Sequence, residues 1–157
     1  EFIDKDINIR DYLHEIINSF REISKKEFVF NFDQDSNPKK ISKSIEIVYG
    51  LRNFIGNANK FSKNSIFINL KSDSEFTEIT VEDDGNGYPR DIISKIGEPY
   101  LKSNYSKDKS KEGLGLGLFI GKTLLEKNFA SVNCRNSKTR SGAEVIIRWK
   151  NKELFNI

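Results

Sequence analysis

The 157-residue sequence has no methionine, one cysteine (Cys134), one histidine (His14) and one tryptophan. Without methionine there is no initiator, so the sequence reads as a piece of a longer protein. A lone cysteine excludes a disulfide framework and fits a reducing, cytoplasmic compartment. Because Cys134 sits in an apparent strand, its thiol is expected to be buried and inert. An excess of one charge is also missing. The balance of 26 Lys+Arg against 23 Asp+Glu leaves +3, which gives no electrostatic footprint for nucleic acid or for direct contact with an anionic membrane. No apolar run reaches the roughly 20 residues that span a bilayer, and no signal peptide is visible. What is left has the size of one domain with its own core, residues 1–157.

The most informative stretch is Glu112 to Thr123, EGLGLGLFIGKT. Alternate glycines let a backbone approach a ligand, and the helix start that follows offers unpaired N–H groups and a positive dipole end to an anion. Two common phosphate loops fail on spacing. A P-loop needs glycine where Leu116 stands, and a dinucleotide fingerprint starting at Gly115 needs glycine where Ile120 stands and a strand where the polar run Lys102 to Lys111 lies.

Periodicity supplies the frame. Ile9, Leu13, Ile16, Ile17 and Phe20 recur at helical spacing, predicting a first helix over Ile7 to Ile23. Phe28, Phe30 and Phe32 alternate as a half-buried strand, and a turn at Asp33 to Lys40 follows. A second helix is predicted from about Ile41 to Ser62, with Ile47, Val48, Leu51, Phe54, Ile55 and Ala58 as its core stripe. Its other face gathers Asn53, Asn57 and Lys60 at i, i+4 and i+7. Two carboxamides and an ammonium on one face suit a hydrated magnesium ion and phosphate oxygens, although a solvated polar face would look the same.

Ile66, Ile68 and Leu70 alternate in one strand and Thr77, Ile79 and Val81 in the next, joined at Ser72 to Ser74. The second strand runs into Asp83, Asp84, Gly85, Asn86 and Gly87, which reads equally as a surface turn or as a strand-end carboxylate able to accept from an exocyclic amine. Tyr88 to Glu112 is too long for an idle loop, and it is read as a short helix at Ile92, Ile93 and Ile96 followed by a mobile lid. A third helix follows the glycines, with Gly117 and Gly121 as a close-packing stripe. Strands Ser131 to Asn136 and Ala143 to Trp149 close the chain as a hairpin. The order predicts an α+β fold with helices on one face of a mixed, largely antiparallel sheet.

In order and spacing, Asn53-x-x-x-Asn57-Ala58-x-Lys60-Phe61-Ser62, then Asp83-x-Gly85-x-Gly87, then Gly113-Leu114-Gly115-Leu116-Gly117-Leu118 resemble the N, G1 and G2 boxes of a sensor histidine kinase ATP-binding domain. Gly97-Glu98-Pro99-Tyr100 and the closing Gly-Ala-x-Val-x-x-x-Trp further resemble the redox-responsive RegB type. The resemblance implies the Bergerat fold, a two-layer α/β sandwich with an ATP lid, and the ligands ATP and Mg²⁺. It implies that Asp83 accepts from the adenine amine, with Gly85 and Gly87 seating the base, and that Phe61 contacts the base or ribose. Asn57 would ligate magnesium with Asn53 in support, and Lys60 would meet phosphate. Gly113, Leu114, Gly115, Leu116, Gly117 and Leu118 would wrap the phosphates, and Lys102 would be a lid cation.

The implied partners are the dimerisation and phosphoacceptor helices of the parent homodimer and a response regulator, with an inner-membrane anchor possible only in the parent. Two departures stand out. The first aromatic of the family's lid box is Gly97 here, and the phosphoacceptor histidine with its helical hairpin is missing. His14-Glu15 superficially opens a phosphoacceptor box, but the usual proline is absent and the second helix follows too soon, so His14 is read as a partly exposed surface histidine. The rival readings are a hydrolysing relative on the same fold, which would carry Glu at position 53, and an anti-sigma-factor-like or phosphatase-biased regulatory module.

Overall fold

The computed structural model describes residues 7–33, 39–41, 44–93 and 114–154. Strand β1 (Ile7–Asn8) leads into helix α1 (Ile9–Arg21), then β2 (Glu27–Phe32), β3 (Lys40–Ile41) and helix α2 (Ile45–Phe61). The chain continues with β4 (Ser65–Ser72), β5 (Phe76–Asp83), α3 (Arg90–Ile93), α4 (Leu114–Lys127), β6 (Ser131–Asn136), β7 (Ala143–Lys150) and α5 (Asn151–Leu154). Five strands form one sheet in the order β2-β4-β5-β7-β6. Only β2 and β4 pair in parallel; the other three pairings are antiparallel.

The first two helices start at other residues than the sequence reading gave, and a capping residue decides each. Asn8 Oδ1 accepts from Arg10 N–H at 2.8 Å, which begins α1 at Ile9 and releases Ile7 and Asn8 to pair with Ile41 and Lys40. Ser44 Oγ accepts from the N–H groups of Glu46 and Ile47, which starts α2 at Ile45 rather than Ile41. Ile23, read as helical, lies past the end of α1 and is exposed.

Alternation in the strands buries one face of the sheet. Ile66, Ile68 and Leu70 of β4, Ile79 and Val81 of β5, and Val145, Ile147 and Trp149 of β7 pack beneath Leu51, Phe54 and Ile55 of α2 and Leu118 and Leu125 of α4 in one core. The Trp149 indole N–H donates to the Asn128 carbonyl at 2.9 Å, so the one tryptophan is buried with its polar atom satisfied.

Helices α2 and α4 mesh through glycine. A Cβ on Gly121 would come within 2.7 Å of the Phe54 ring, and one on Gly50 within 2.7 Å of Leu125 Cγ. The expected small stripe on α4 is therefore present, and Gly50 answers it from α2.

The end of α4 carries a strained residue. Phe129 has φ +72 and is about half exposed, while Ala130 N–H closes the helix onto the Leu125 carbonyl. Left-handed backbone costs a side chain with a Cβ about 1–2 kcal/mol, and glycine is the usual occupant of this position. Phe129→Gly is expected to raise stability by about 0.5–1 kcal/mol, read as a higher urea midpoint with unchanged slope. A lower midpoint would show that the Phe129 ring contributes more than its backbone strain costs.

Candidate functional site

The C-terminal end of β5 meets the middle of α2 at an apolar slot of about 120 Å³. Phe54, Asn57, Ala58 and Phe61 line it from α2, Val81 and Asp83 from β5, and Ala143 and Val145 from β7. Asn86, Gly87, Tyr88 and Pro89 form the remaining wall.

Asp83 is 4% exposed and is the slot's carboxylate. Its Oδ1 accepts from Gly85 N–H at 2.8 Å and from Ala143 N–H at 3.3 Å. Burial is the strongest influence on this carboxyl and pushes it above its ordinary value, against the pull of those two donors; the charges of Asp84 and Glu82 add to the rise. A buried acceptor beside apolar walls is suited to fixing the polar edge of a flat heteroaromatic ring.

The neighbouring Asp84 plays a different part. It points back across the loop after α2, where Oδ1 accepts from the N–H groups of Lys63, Asn64 and Ser65 at 2.8, 3.1 and 3.3 Å. Burial works to raise this carboxyl, but the N–H groups of Asn64, Ser65 and Lys63 outweigh it and hold Asp84 below its ordinary value. Of the acidic pair, one carboxylate faces the slot and the other ties down the turn.

Glycine is required where backbone passes close. A Cβ on Gly85 would lie 2.2 Å from the Phe61 carbonyl oxygen, and Gly87 has φ +79. Gly142, which the sequence reading named only as the first residue of the closing Gly-Ala-x-Val-x-x-x-Trp block and gave no role, is tighter still: a Cβ there would lie 2.0 Å from the Asp83 carbonyl oxygen and 2.3 Å from Oδ1.

Beside the slot, α2 presents its two carboxamides to the start of α4. A Cβ on Gly117 would meet Asn57 Nδ2 at 3.3 Å, Asn57 Oδ1 at 3.4 Å and Asn53 Oδ1 at 3.7 Å. Asn53 Nδ2 donates to the Tyr49 carbonyl at 2.7 Å, which turns its oxygen toward Gly117. Asn57 Nδ2 is the one buried side-chain nitrogen or oxygen among the described residues without a hydrogen-bond partner. Such an atom is rare in a folded protein and fits a place where a polar ligand belongs.

Among the described residues there is no cluster of three or more His, Cys, Asp or Glu to enclose a metal. Magnesium keeps several waters and takes oxygen ligands from substrate phosphates, so it needs no such cage, and the amide oxygens of Asn53 and Asn57 are hard oxygen donors of the kind it accepts. The donor set therefore fits magnesium bound together with phosphate.

The structure brings together Asp83, Gly85, Gly87 and Phe61 at the slot, and Asn53, Asn57 and Gly117 next to it. Lys60 stands at the rim, exposed, with Nζ 5.3 Å from the Phe61 ring centroid. Leu114, Gly115 and Leu116 fall in the first turn of α4, inside the helix rather than in a loop before it. The Leu118 side chain is wholly buried in the core, which leaves only its backbone to face a ligand. Lys102, Gly113 and the Gly97 to Tyr100 box lie outside the described residues, as does most of the segment read as a lid.

His14 lies half-exposed on α1, edge-on to Phe30 at 4.8 Å and Phe32 at 6.1 Å, over the β2 edge of the sheet. Cys134 is half-buried, and burial pushes its thiol up to about 12, so the thiol form is held at neutral pH as expected of an inert cysteine. No helix among the described residues is long and apolar enough to cross a membrane.

The largely antiparallel sheet, helices on one face and a carboxylate-ended slot against the second helix define an α+β sandwich of the Bergerat type. Catalytic domains of histidine kinases share it: the ThkA catalytic domain superposes with a TM-score of 0.74 at 19% identity, covering 93% of this chain and 95% of that one. Full-length ShkA in complex with AMPPNP superposes with a TM-score of 0.74 at 19% identity, covering 92% of this chain and 30% of that one.

Residues 42–153 match the histidine kinase-, DNA gyrase B-, and HSP90-like ATPase family, and this chain belongs to it. The sensor histidine kinase RegB of Cereibacter sphaeroides is 38% identical over 97 residues, 59% of this chain and 21% of that protein. The sensor histidine kinase CpxA of Escherichia coli is 30% identical over 87 residues, 55% of this chain and 19% of that protein. This chain thus spans about a fifth of the length of the curated relatives it matches.

Proposed function

We propose that this chain binds Mg-ATP with the adenine in the slot and the phosphates over the first turn of α4, and supplies the γ-phosphoryl group to a histidine on the dimerisation helices of a sensor kinase. The observation that carries the reading is the placement of two chemistries side by side. A buried carboxylate closes an apolar slot, and an unsatisfied carboxamide faces Gly117 next to it. The first suits a base and the second suits phosphate with its counter-ion. A downstream response regulator would be the parent kinase's second partner.

In this arrangement the Asp83 carboxylate accepts from the exocyclic amine, and Phe61 and Val81 exclude water from the ring. Asn57 and Asn53 offer amide oxygens to magnesium, and backbone N–H groups at the start of α4 face the phosphates. Magnesium would supply charge neutralisation on the phosphate oxygens. Catalysis of this kind is mostly alignment and electrostatics. Asn53 also argues against a hydrolysing relative, because an amide cannot take a proton from an attacking water.

Asn57→Ala is expected to remove the magnesium dependence of nucleotide binding more than binding itself, because the base contacts survive. Calorimetry with a non-hydrolysable ATP analogue, with and without Mg²⁺, checks this, and equal losses under both conditions would oppose the role.

The transfer step has its own test. Pre-aligning donor and acceptor can lower a barrier by about 7–11 kcal/mol, and this chain holds only the donor half of that alignment. With γ-labelled ATP and Mg²⁺ the chain should stay unlabelled, and adding the parent's histidine-bearing helical hairpin should label the hairpin. Acid-labile label on His14 would overturn this assignment, and no label on the hairpin would overturn the kinase reading.

A further inference from the structure

The wall of the slot formed by Gly87 and Tyr88 is anchored on one side by the Tyr88 ring, which is buried in the core with its phenol hydrogen-bonded to Cys134. It runs as irregular backbone between β5 and α3, with Gly87 in a left-handed conformation. Its main chain is held from the far edge of the sheet, where Asn136 ends β6. Asn136 Oδ1 accepts from Tyr88 N–H at 2.6 Å, and Asn136 Nδ2 donates to the Tyr88 carbonyl at 3.1 Å. One carboxamide thus satisfies both main-chain groups of a single residue, as a neighbouring strand would. The same oxygen comes so close to Gly87 that a Cβ there would lie 2.7 Å from it.

Asn136 is itself held in place. The turn that follows it is pinned to β5 by Glu82, whose carboxylate accepts from Ser137 Oγ, from Thr139 Oγ1 at 3.3 Å and from Arg140 Nε at 3.3 Å. The Arg140 guanidinium lies 3.5 Å from the Phe67 ring centroid. At the other end of the same turn, Ser141 Oγ donates to the Gly85 carbonyl at 3.4 Å, and Ala143 N–H reaches Asp83.

We propose that Asn136 is a positioning residue of the base slot: its carboxamide fixes the Gly87–Tyr88 backbone against β6 and thereby sets the affinity for the adenine end of a nucleotide. This rests on the nucleotide reading above. The asparagine carboxamide combines an acceptor and a donor at this reach. Aspartate would keep the Tyr88 N–H bond, lose the bond to the carbonyl and add a charge near Asp83.

The test compares Asn136→Ala with Asn133→Ala, an exposed position on the same strand. Losing two neutral hydrogen bonds that hold one wall is expected to weaken ADP binding about tenfold by calorimetry. Adenosine should lose affinity by the same factor, while the ratio of ADP affinities with and without Mg²⁺ stays at the wild-type value. Tyr88 N–H should exchange with deuterium faster in Asn136→Ala while the β5 amides keep their protection. Asn133→Ala should match wild type in every readout.

Unchanged ADP affinity in Asn136→Ala, an equal loss in Asn133→Ala, or a changed magnesium ratio would overturn the proposal. If Asn136→Ala does not fold, Asn136→Asp carries the same comparisons with a loss of the same sign. A wild-type chain that binds neither ADP nor adenosine would overturn the nucleotide reading, and the proposal would fall with it.

Discussion

Asp83→Asn is expected to weaken adenine-nucleotide binding roughly ten- to two-hundred-fold, the value of a charge-assisted hydrogen bond of about 1.5–3 kcal/mol. The substitution keeps the shape and keeps an oxygen for the Gly85 and Ala143 N–H groups. What it changes is the sign of the edge offered to the ligand, because an amide can turn a donor toward an amine that itself donates.

The same substitution should not lower the Tm of the ligand-free chain. Burial raises the Asp83 carboxyl in the folded state above its ordinary value of 3.8. Between 3.8 and the raised value, the folded chain holds a proton that the unfolded chain has released. This group's contribution to stability is therefore greatest in acid and is lost as pH rises through the folded value. Asparagine removes that loss. Nucleotide affinity should run the other way in wild type, falling as acid protonates Asp83, and that fall should be absent in Asp83→Asn. Calorimetry across pH with parallel melting curves checks both. Equal affinity in the variant would refute the base assignment, and a lowered Tm would refute the account of burial.

Gly142→Ala is expected to abolish measurable nucleotide binding and to cost about 3 kcal/mol of stability. The added methyl would sit 2.0 Å from the Asp83 carbonyl oxygen and 2.3 Å from its carboxylate, and backbone cannot yield as a flexible side chain can. Overpacking in a tight interior typically costs about 1–3 kcal/mol, and a contact with both main chain and the ligand-facing carboxylate lies at the upper end. Urea unfolding should show a lower midpoint, and calorimetry should show no heat of ADP binding. A variant with the wild-type midpoint and affinity would mean that β7 can shift away from β5 at no cost.

Asn136 was not legible in the sequence and Gly142 was legible only as part of a motif, without its role, and the reason is physical. Their contacts with Asp83 and Tyr88 cross the sheet, and they exist because β7 pairs with β5 and β6 pairs with β7. Sequence patterning shows which face of a strand is apolar but not which strands become neighbours. Local features were readable for the converse reason. The i, i+4, i+7 spacing that gathers Asn53, Asn57 and Lys60 depends on helix geometry alone, and alternation in β4 and β5 depends on the pleat alone.

Even there, spacing did not separate the parts. Asn53 and Asn57 face Gly117, whereas Lys60 stands at the rim over Phe61. The acidic pair read as either a turn or a site divides in the structure, because Asp84 is drawn to the three N–H groups after α2 and Asp83 lines the slot.

The glycine meshing of α2 with α4 bears on how such a site could be controlled. With Leu125 filling the space at Gly50 and Phe54 filling the space at Gly121, α4 cannot ratchet by one turn, about 5.4 Å, without driving a side chain into backbone. The slot beside α2 and the first turn of α4 are thereby held in one register, like two halves of a casting. Any control that acts on these two helices must therefore move them together as one body.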